Sequence, residues 1–291
     1  MYISGESDTL SVSLFQDNHK IFNGEEYERM PRLYPLFSGS SGNCYYLGTK
    51  ESGILIDAGR SAKQIKTALD ERELDIKNVR AIFITHEHID HTRGLRVLAS
   101  KYGIKVYASN GTISEMENKA LINENVDISP ISLDGIETDY MRIIPFRISH
   151  DCAEGYGYVA ETPDGRKTAF ATDTGIISNE IENAVIGCDT VVIESNHDIR
   201  MLQNGCYPYE LKKRILSEHG HLSNDSCADT AVKLVKNGTT RFVLAHLSKE
   251  NNMPFLAEQT SICAFEENKM KRNLDYMLTV AAEKDNKYLI Y

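Results

Sequence analysis

From residue 85 to 91 the chain reads Thr85-His86-Glu87-His88-Ile89-Asp90-His91, which places three imidazoles and an aspartate within six residues. The run just before it, 79–84, is mostly apolar and rich in β-branched and aromatic side chains, so the histidines stand where a buried strand ends. Side chains two apart on extended backbone point the same way, and His86 and His88 can therefore hold one ion. A turn into helix at Ile89 swings Asp90 and His91 to an adjacent position, where they can serve a second ion. A solvated polar loop is the plain alternative, and four ligand-type side chains at this spacing weigh against it.

A dinuclear centre needs more ligands, and the chain offers them at the same kind of position. His150 follows an expected strand at 141–148, Asp173 follows one at 167–171, and His246 follows one at 241–244. Singly, each would pass for a surface or capping residue; their repeated placement just past an apolar strand is what links them. Further strands are expected at 34–37, 44–47, 53–56, 105–108, 157–161, 190–194, 276–281 and 288–290. Helices are expected from a Ser61 cap to residue 74 and at 94–102, 113–119, 209–217, 223–235 and 254–266. Strand clusters in each half, with helices between and behind them, predict an α/β fold of two helix-covered sheets over residues 31–291. Residues 1–30 read as an acidic extension of that domain.

These residues resemble the metallo-β-lactamase fold superfamily. The likeness runs from Ile56-Asp57-Ala58-Gly59 through the HxHxDH motif at His86 to His91 and on to His150, Asp173 and His246. Within the superfamily, Phe37-Ser38-Gly39-Ser40-Ser41-Gly42-Asn43-Cys44, Gly205-Cys206-Tyr207-Pro208 and Gly220-His221-Leu222-Ser223-Asn224 look like the YycJ/WalJ group of bacterial metal-dependent hydrolases, which is associated with DNA exonuclease activity. The extension before Pro31 departs from that group's pattern. The resemblance implies a four-layered αββα sandwich holding two divalent metal ions, with His86, His88 and His150 on the first and Asp90, His91 and His246 on the second. It makes Asp173 the bridge between them, and Asp90 and His221 the candidates for the chemical step. Asp57 would accept the other N–H of a ligand histidine, as metal-bound imidazoles usually require, or it serves only its turn. Nitrogen and carboxylate ligands without thiolate suit Zn, Mn or Fe. His88 stands where flavodiiron relatives carry a glutamate, which disfavours oxygen reduction.

Two segments are candidates for holding substrate. Gly220 to Asn224 sits where a helix begins, with Ser223 as N-cap and Cys227, Ala231, Leu234 and Val235 as its buried stripe. A helix start offers unpaired N–H groups and a positive dipole end, to which His221, Ser223 and Asn224 would add contacts for a phosphate. The segment resembles the GHxS phosphate-binding turn of RNase J nucleases; capping beside an incidental histidine is the simpler reading. Ser38, Ser40, Ser41 and Asn43 belong to a second turn, either a substrate-facing loop or a plain hairpin. Glu194 to Asp198 ends a strand and could line the pocket, whereas His197, like His19 and His219, is assigned no role.

Charge looks at first like an objection to a nucleic-acid partner, because 32 Lys plus Arg against 42 Asp plus Glu gives −10. Residues 1–30 carry −4 of it, leaving −6 that includes Asp90 and Asp173, which two divalent ions more than offset. Basic groups stand at Arg60, Lys63 and Lys66, and at Lys212, Lys213 and Arg214. A grip on one strand end needs few phosphate contacts, so weak, salt-sensitive binding is expected. The expected activity is a dinuclear metal-dependent phosphodiesterase acting on DNA ends, 5′ to 3′. A cyclic phosphodiester or lactone hydrolase and a non-catalytic regulatory scaffold are the alternatives. No apolar run is long enough to span a membrane, no signal-peptide pattern opens the chain, and the six cysteines form no CxxC pair. A cytoplasmic protein with no membrane association and no obligate protein partner is expected.

Overall fold

A computed structural model describes residues 30–138, 140–281, 283, 289 and 290. Residues 1–29 of the expected extension, and Tyr288 of the expected last strand, lie outside the described residues.

The strands of the first half are β1 (Arg32–Phe37), β2 (Cys44–Gly48), β3 (Gly53–Ile56), β4 (Val79–Phe83), β5 (Lys105–Ala108) and β6 (Ile128–Pro130). Those of the second are β7 (Ile136–Glu137), β8 (Arg142–Arg147), β9 (Tyr156–Glu161), β10 (Lys167–Ala171), β11 (Thr190–Glu194), β12 (Arg241–Ala245) and β13 (Met277–Val280), while β14 (Leu289–Ile290) returns to pair with β1. They form two mixed sheets, ordered β14-β1-β2-β3-β4-β5-β6 and β13-β12-β11-β10-β9-β8-β7. The helices are α1 (Ala62–Asp70), α2 (Ile89–Thr92), α3 (Leu95–Tyr102), α4 (Asn110–Asn118), α5 (Asn179–Val185), α6 (Ile199–Asn204), α7 (Tyr209–Ile215), α8 (Asn224–Lys236) and α9 (Pro254–Glu267).

Strand alternation makes the layers. Along β4, Ala81 and Phe83 point into an inter-sheet core and Ile82 points away from it; along β12, Val243 and Ala245 point in while Phe242 and Leu244 point out. The inter-sheet core joins Tyr45, Ile56 and Phe83 of one sheet to Tyr158, Phe170 and Val192 of the other. The outer face of the first sheet packs on Ile65, Leu69 and Leu98 of α1 and α3, and that of the second on Ile181, Ala231 and Phe265 of α5, α8 and α9. Three apolar seams between four layers give the expected αββα sandwich.

Local signals mostly held. Ser61 caps α1 in a reciprocal box with Gln64, and Ser223 caps α8 by accepting from Ser226 N. The helix expected to reach residue 74 stops at Asp70, because Glu73 turns left-handed at φ 57°, a position usually marked by glycine. The short elements β6, β7, α5 and α6 carried too few residues for periodicity to announce them. Among the described residues no helix is long and apolar enough to cross a membrane.

Candidate metal centre

Every sequence-predicted ligand lies just beyond the carboxyl end of a strand, where open sheets gather their functional loops. His86 to His91 follow β4, His150 follows β8, Asp173 follows β10 and His246 follows β12. Asp57, Asp173 and His246 take left-handed backbone, with φ of 62°, 56° and 56°, and hydrogen bonds on several sides hold these loops. Asn43 N donates to Asp90 O at 2.8 Å, Ala58 N to His91 O at 2.8 Å, and Gly59 N to Asn43 O at 2.8 Å. Gly59 is obligatory at this crossing, since a Cβ there would lie 1.7 Å from Asp90 O. The expected turn at Ile89 is α2, which brings Asp90 and His91 to a position beside the first pair, with the His91 ring 4.1 Å from that of His86 between centroids.

The side chains gather into overlapping donor groups, each with ligand atoms within 4.8 Å of one another: His86, His88 and His150; Asp90, His91 and His246; His86, His91 and Asp173; and Asp173, Glu194, His221 and His246. The first two coincide with the two triads that the resemblance implied, and the third connects them by joining Asp173 to His86 of one and His91 of the other. Asp173 Oδ2 and His246 Nε2 are buried without hydrogen-bond partners, a costly arrangement that a cation would relieve. His86 Nε2 and His88 Nδ1 stand 3.0 Å apart, and His246 Nε2 lies 3.6 Å from Asp90 Oδ2. A His/Asp set with these orphaned atoms fits divalent metal ions.

Two buried carboxylates stand behind the histidines. Asp57 Oδ2 accepts from His91 Nδ1 at 2.7 Å, and its Oδ1 accepts from Thr85 N at 2.9 Å. Burial raises the Asp57 carboxyl above its ordinary value, against the opposing pull of His91 and Thr85. The counterpart was missed as an acting residue. Glu194, at the end of β11, accepts with Oε1 from both His221 Nδ1 and His246 Nδ1 at 2.8 Å, and with Oε2 from Thr174 N at 3.0 Å and Leu222 N at 3.1 Å. Burial opposes its charge, but His221 and His246 hold the carboxyl well below the usual carboxylate range. Its signal was an acid closing an apolar strand, the same placement that flagged Asp173 and His246. Burial also pushes His150 down, and its Nδ1 meets Gly220 O at 3.1 Å. Glu87, inside the motif, accepts from Ala153 N at 3.0 Å and so fastens the loop after His150.

The candidate substrate residues divide. His221 reaches the centre with its Nδ1 on Glu194 and its side chain 20% exposed. Ser223 is the α8 cap, Ser40 is exposed, and Ser41 is half-buried. Asn43 is fully buried, with Nδ2 3.1 Å from His91 Nε2. Ser38 and Asn224, expected to face substrate, instead serve the scaffold. Ser38 Oγ accepts from His246 N at 2.8 Å and pairs with Tyr45 at 3.0 Å, while Asn224 is locked to Ser195 and Asn252. His197 is buried with neither ring nitrogen paired.

A four-layer αββα sandwich with clustered His and Asp donors at its strand ends defines a metal-binding α/β scaffold. The metallo-beta-lactamase superfamily model matches residues 38–246, and the chain belongs to that superfamily. It is 40% identical over 234 residues to the exodeoxyribonuclease YycJ of Bacillus anthracis, covering 80% of this chain and 88% of that one. It is also 40% identical over 231 residues to the exodeoxyribonuclease WalJ of Streptococcus pneumoniae, covering 78% and 85% respectively. The crystal structure of the metallo-beta-lactamase fold protein YhfI from Bacillus subtilis superposes with a TM-score of 0.67 at 13% identity, covering 90% of this chain and 100% of that one, a likeness of fold.

Proposed function

We propose that the chain is a metal-dependent phosphodiesterase that degrades DNA from an end, in the 5′ to 3′ direction. The observation that carries this reading is the convergence of His86, His88, His150, Asp90, His91, His246 and Asp173 into overlapping donor groups with orphaned buried atoms at their centre. The 40% identity to two exodeoxyribonucleases supports DNA as the substrate. In this reading His86, His88 and His150 would hold one cation and Asp90, His91 and His246 another, with Asp173 as the donor between the two sets. Two divalent cations so held lower the pKa of water and neutralise charge on a phosphate.

The chain supplies the rest. Asp57 and Glu194 keep the Nδ1 protons of His91 and His246, which turns each Nε2 lone pair towards the centre. Burial works against a protonated His221, yet the Glu194 carboxylate raises it above its ordinary value. Its Nε2 is then suited to bind a phosphoryl oxygen or to protonate the leaving oxygen. Ser40 and Ser41, the exposed and half-buried members of their turn, complete the substrate side, while buried Asn43 packs on His91. Six unpaired cysteines support a reducing, cytoplasmic location.

The test is incubation of metal-loaded protein with 5′-phosphorylated and 5′-hydroxyl single strands, duplex DNA and bis-p-nitrophenyl phosphate. Stepwise release of mononucleotides from the 5′ end is the expected result. Cleavage of the small ester alone would replace the proposal with a small-molecule hydrolase, and inertness with metal bound would replace it with a scaffold.

A further inference from the structure

Beside the metal centre, three donors from three different loops converge on one carboxylate. Glu283 Oε1 accepts from Arg60 at 2.6 Å and from Ser41 Oγ at 2.5 Å, while its Oε2 lies 2.9 Å from Lys249 Nζ. Arg60 also donates to Ser41 Oγ at 2.7 Å, and its guanidinium lies 5.4 Å over the Phe37 ring. Arg60 Nε is buried without a partner, so the guanidinium fork is only partly used. Arg93 adds a further cation, with NH1 3.5 Å from Ser41 O. The bonds from Ser41, Lys249 and Arg60 bring the Glu283 carboxyl down to about 2, as an anion in an anion site.

The three donors belong to the loops that build the centre. Arg60 follows Gly59, Ser41 precedes Asn43 by two positions, and Lys249 follows His246 by three. Each is therefore within roughly 10 Å of chain from a residue of the site. Glu283 comes from elsewhere, between β13 of one sheet and β14 of the other. A phosphate oxygen accepts the same bonds that this carboxylate accepts.

Building on the exonuclease reading, we propose that Arg60, Ser41 and Lys249 form a subsite for a backbone phosphate of the DNA strand next to the cleaved one, and that Glu283 fills it in the free protein. Substrate enters by displacing Glu283, which makes the acid a built-in competitor that raises the threshold for weakly bound strands.

The test is fluorescence anisotropy with the metal-loaded full chain and a labelled phosphorothioate single strand that resists hydrolysis. Glu283→Gln is expected to bind about threefold tighter than the wild type, the scale of a partly exposed ion pair, and Lys249→Gln to bind about threefold more weakly. The plot of log affinity against log salt should steepen by about 0.7 in Glu283→Gln as one cation becomes available to the strand. In the Glu283→Gln/Lys249→Gln double variant most of the gain should vanish. A merely structural Glu283 would not tighten binding when removed. Equal or weaker binding by Glu283→Gln, an undiminished gain in the Lys249→Gln background, or no binding by any of the proteins overturns the proposal. Cleavage of an ordinary phosphodiester strand is measured alongside: tighter binding by Glu283→Gln without cleavage removes the exonuclease reading alone, and cleavage without a Glu283 effect removes the subsite alone.

Discussion

Replacing Glu194 by glutamine would change one oxygen to an NH2 group and test how the centre is tuned. The carboxylate accepts four hydrogen bonds in a fully buried position, two from backbone N–H groups and two from imidazoles. An amide has one oxygen for these four donors. With that oxygen on Thr174 N and Leu222 N, its NH2 faces His221 Nδ1 and His246 Nδ1 and favours the tautomers protonated at Nε2. His246 Nε2 is the buried, unpaired nitrogen 3.6 Å from Asp90, so the proton would block the lone pair that a cation needs. Loss of such an orienting partner costs about 10- to 100-fold in metal affinity, or about 1.4 to 2.7 kcal/mol. With the oxygen turned the other way, the NH2 group opposes two backbone donors instead, which costs about 1 to 3 kcal/mol of folding stability for each one left unsatisfied. Metal titration by calorimetry, beside a denaturant melt of the metal-free chain, reads both outcomes. A Glu194→Gln chain with wild-type stability, wild-type affinity and two cations bound would refute the argument.

Other perturbations have equally direct expectations. Gly59→Ala forces a Cβ to within 1.7 Å of Asp90 O unless the loops part, so nuclease activity should fall at least tenfold, more than the loss in melting temperature explains; near-normal turnover would sink this reading. His88→Ala or Asp90→Ala should abolish hydrolysis while leaving the circular dichroism spectrum nearly unchanged, because both side chains are only half-buried and lie at the centre rather than in a core. Burial lowers the His197 pKa from 6.5 to about 4, so the unfolded chain binds its proton first as pH falls. That residue therefore removes stability progressively from about pH 6.5 down to about 4, at most about 3 kcal/mol, and the metal-free His197→Gln variant should show a correspondingly flatter loss across this window in urea melts. Chelation should inactivate the protein and lower its melting temperature, with cation at a hundredfold excess over its Kd restoring about 2.7 kcal/mol; a melting temperature indifferent to added metal would contradict the site.

Much of the centre could be read one residue at a time, because strand ends and ligand chemistry are local properties. The apolar run ending at Ile84 announced where His86 and His88 would sit, and similar runs placed His150, Asp173 and His246 at strand exits. Clusters of short apolar strands in each half, with helical segments between and behind them, likewise specified two sheets with helices outside them, since each face of an apolar strand must find its own cover. Ser61 and Ser223 declared helix starts through capping chemistry that needs only a few neighbouring residues.

What the sequence could not determine depends on groups brought together from distant loops. Glu194 became the partner of two histidines only when β11 lay beside β12 and the turn before α8 folded over both. Ser38 carries the same side chain as exposed Ser40, and Asn224 is as polar as exposed Asp225, so only tertiary packing turned them inward, to His246 N and to Asn252. Arg60, Ser41, Lys249 and Glu283 form no motif at all. Hydrogen bonds and charge pairing act through space over a few ångströms, so the chain declared which chemistry it carries, and the tertiary structure decided which groups act together.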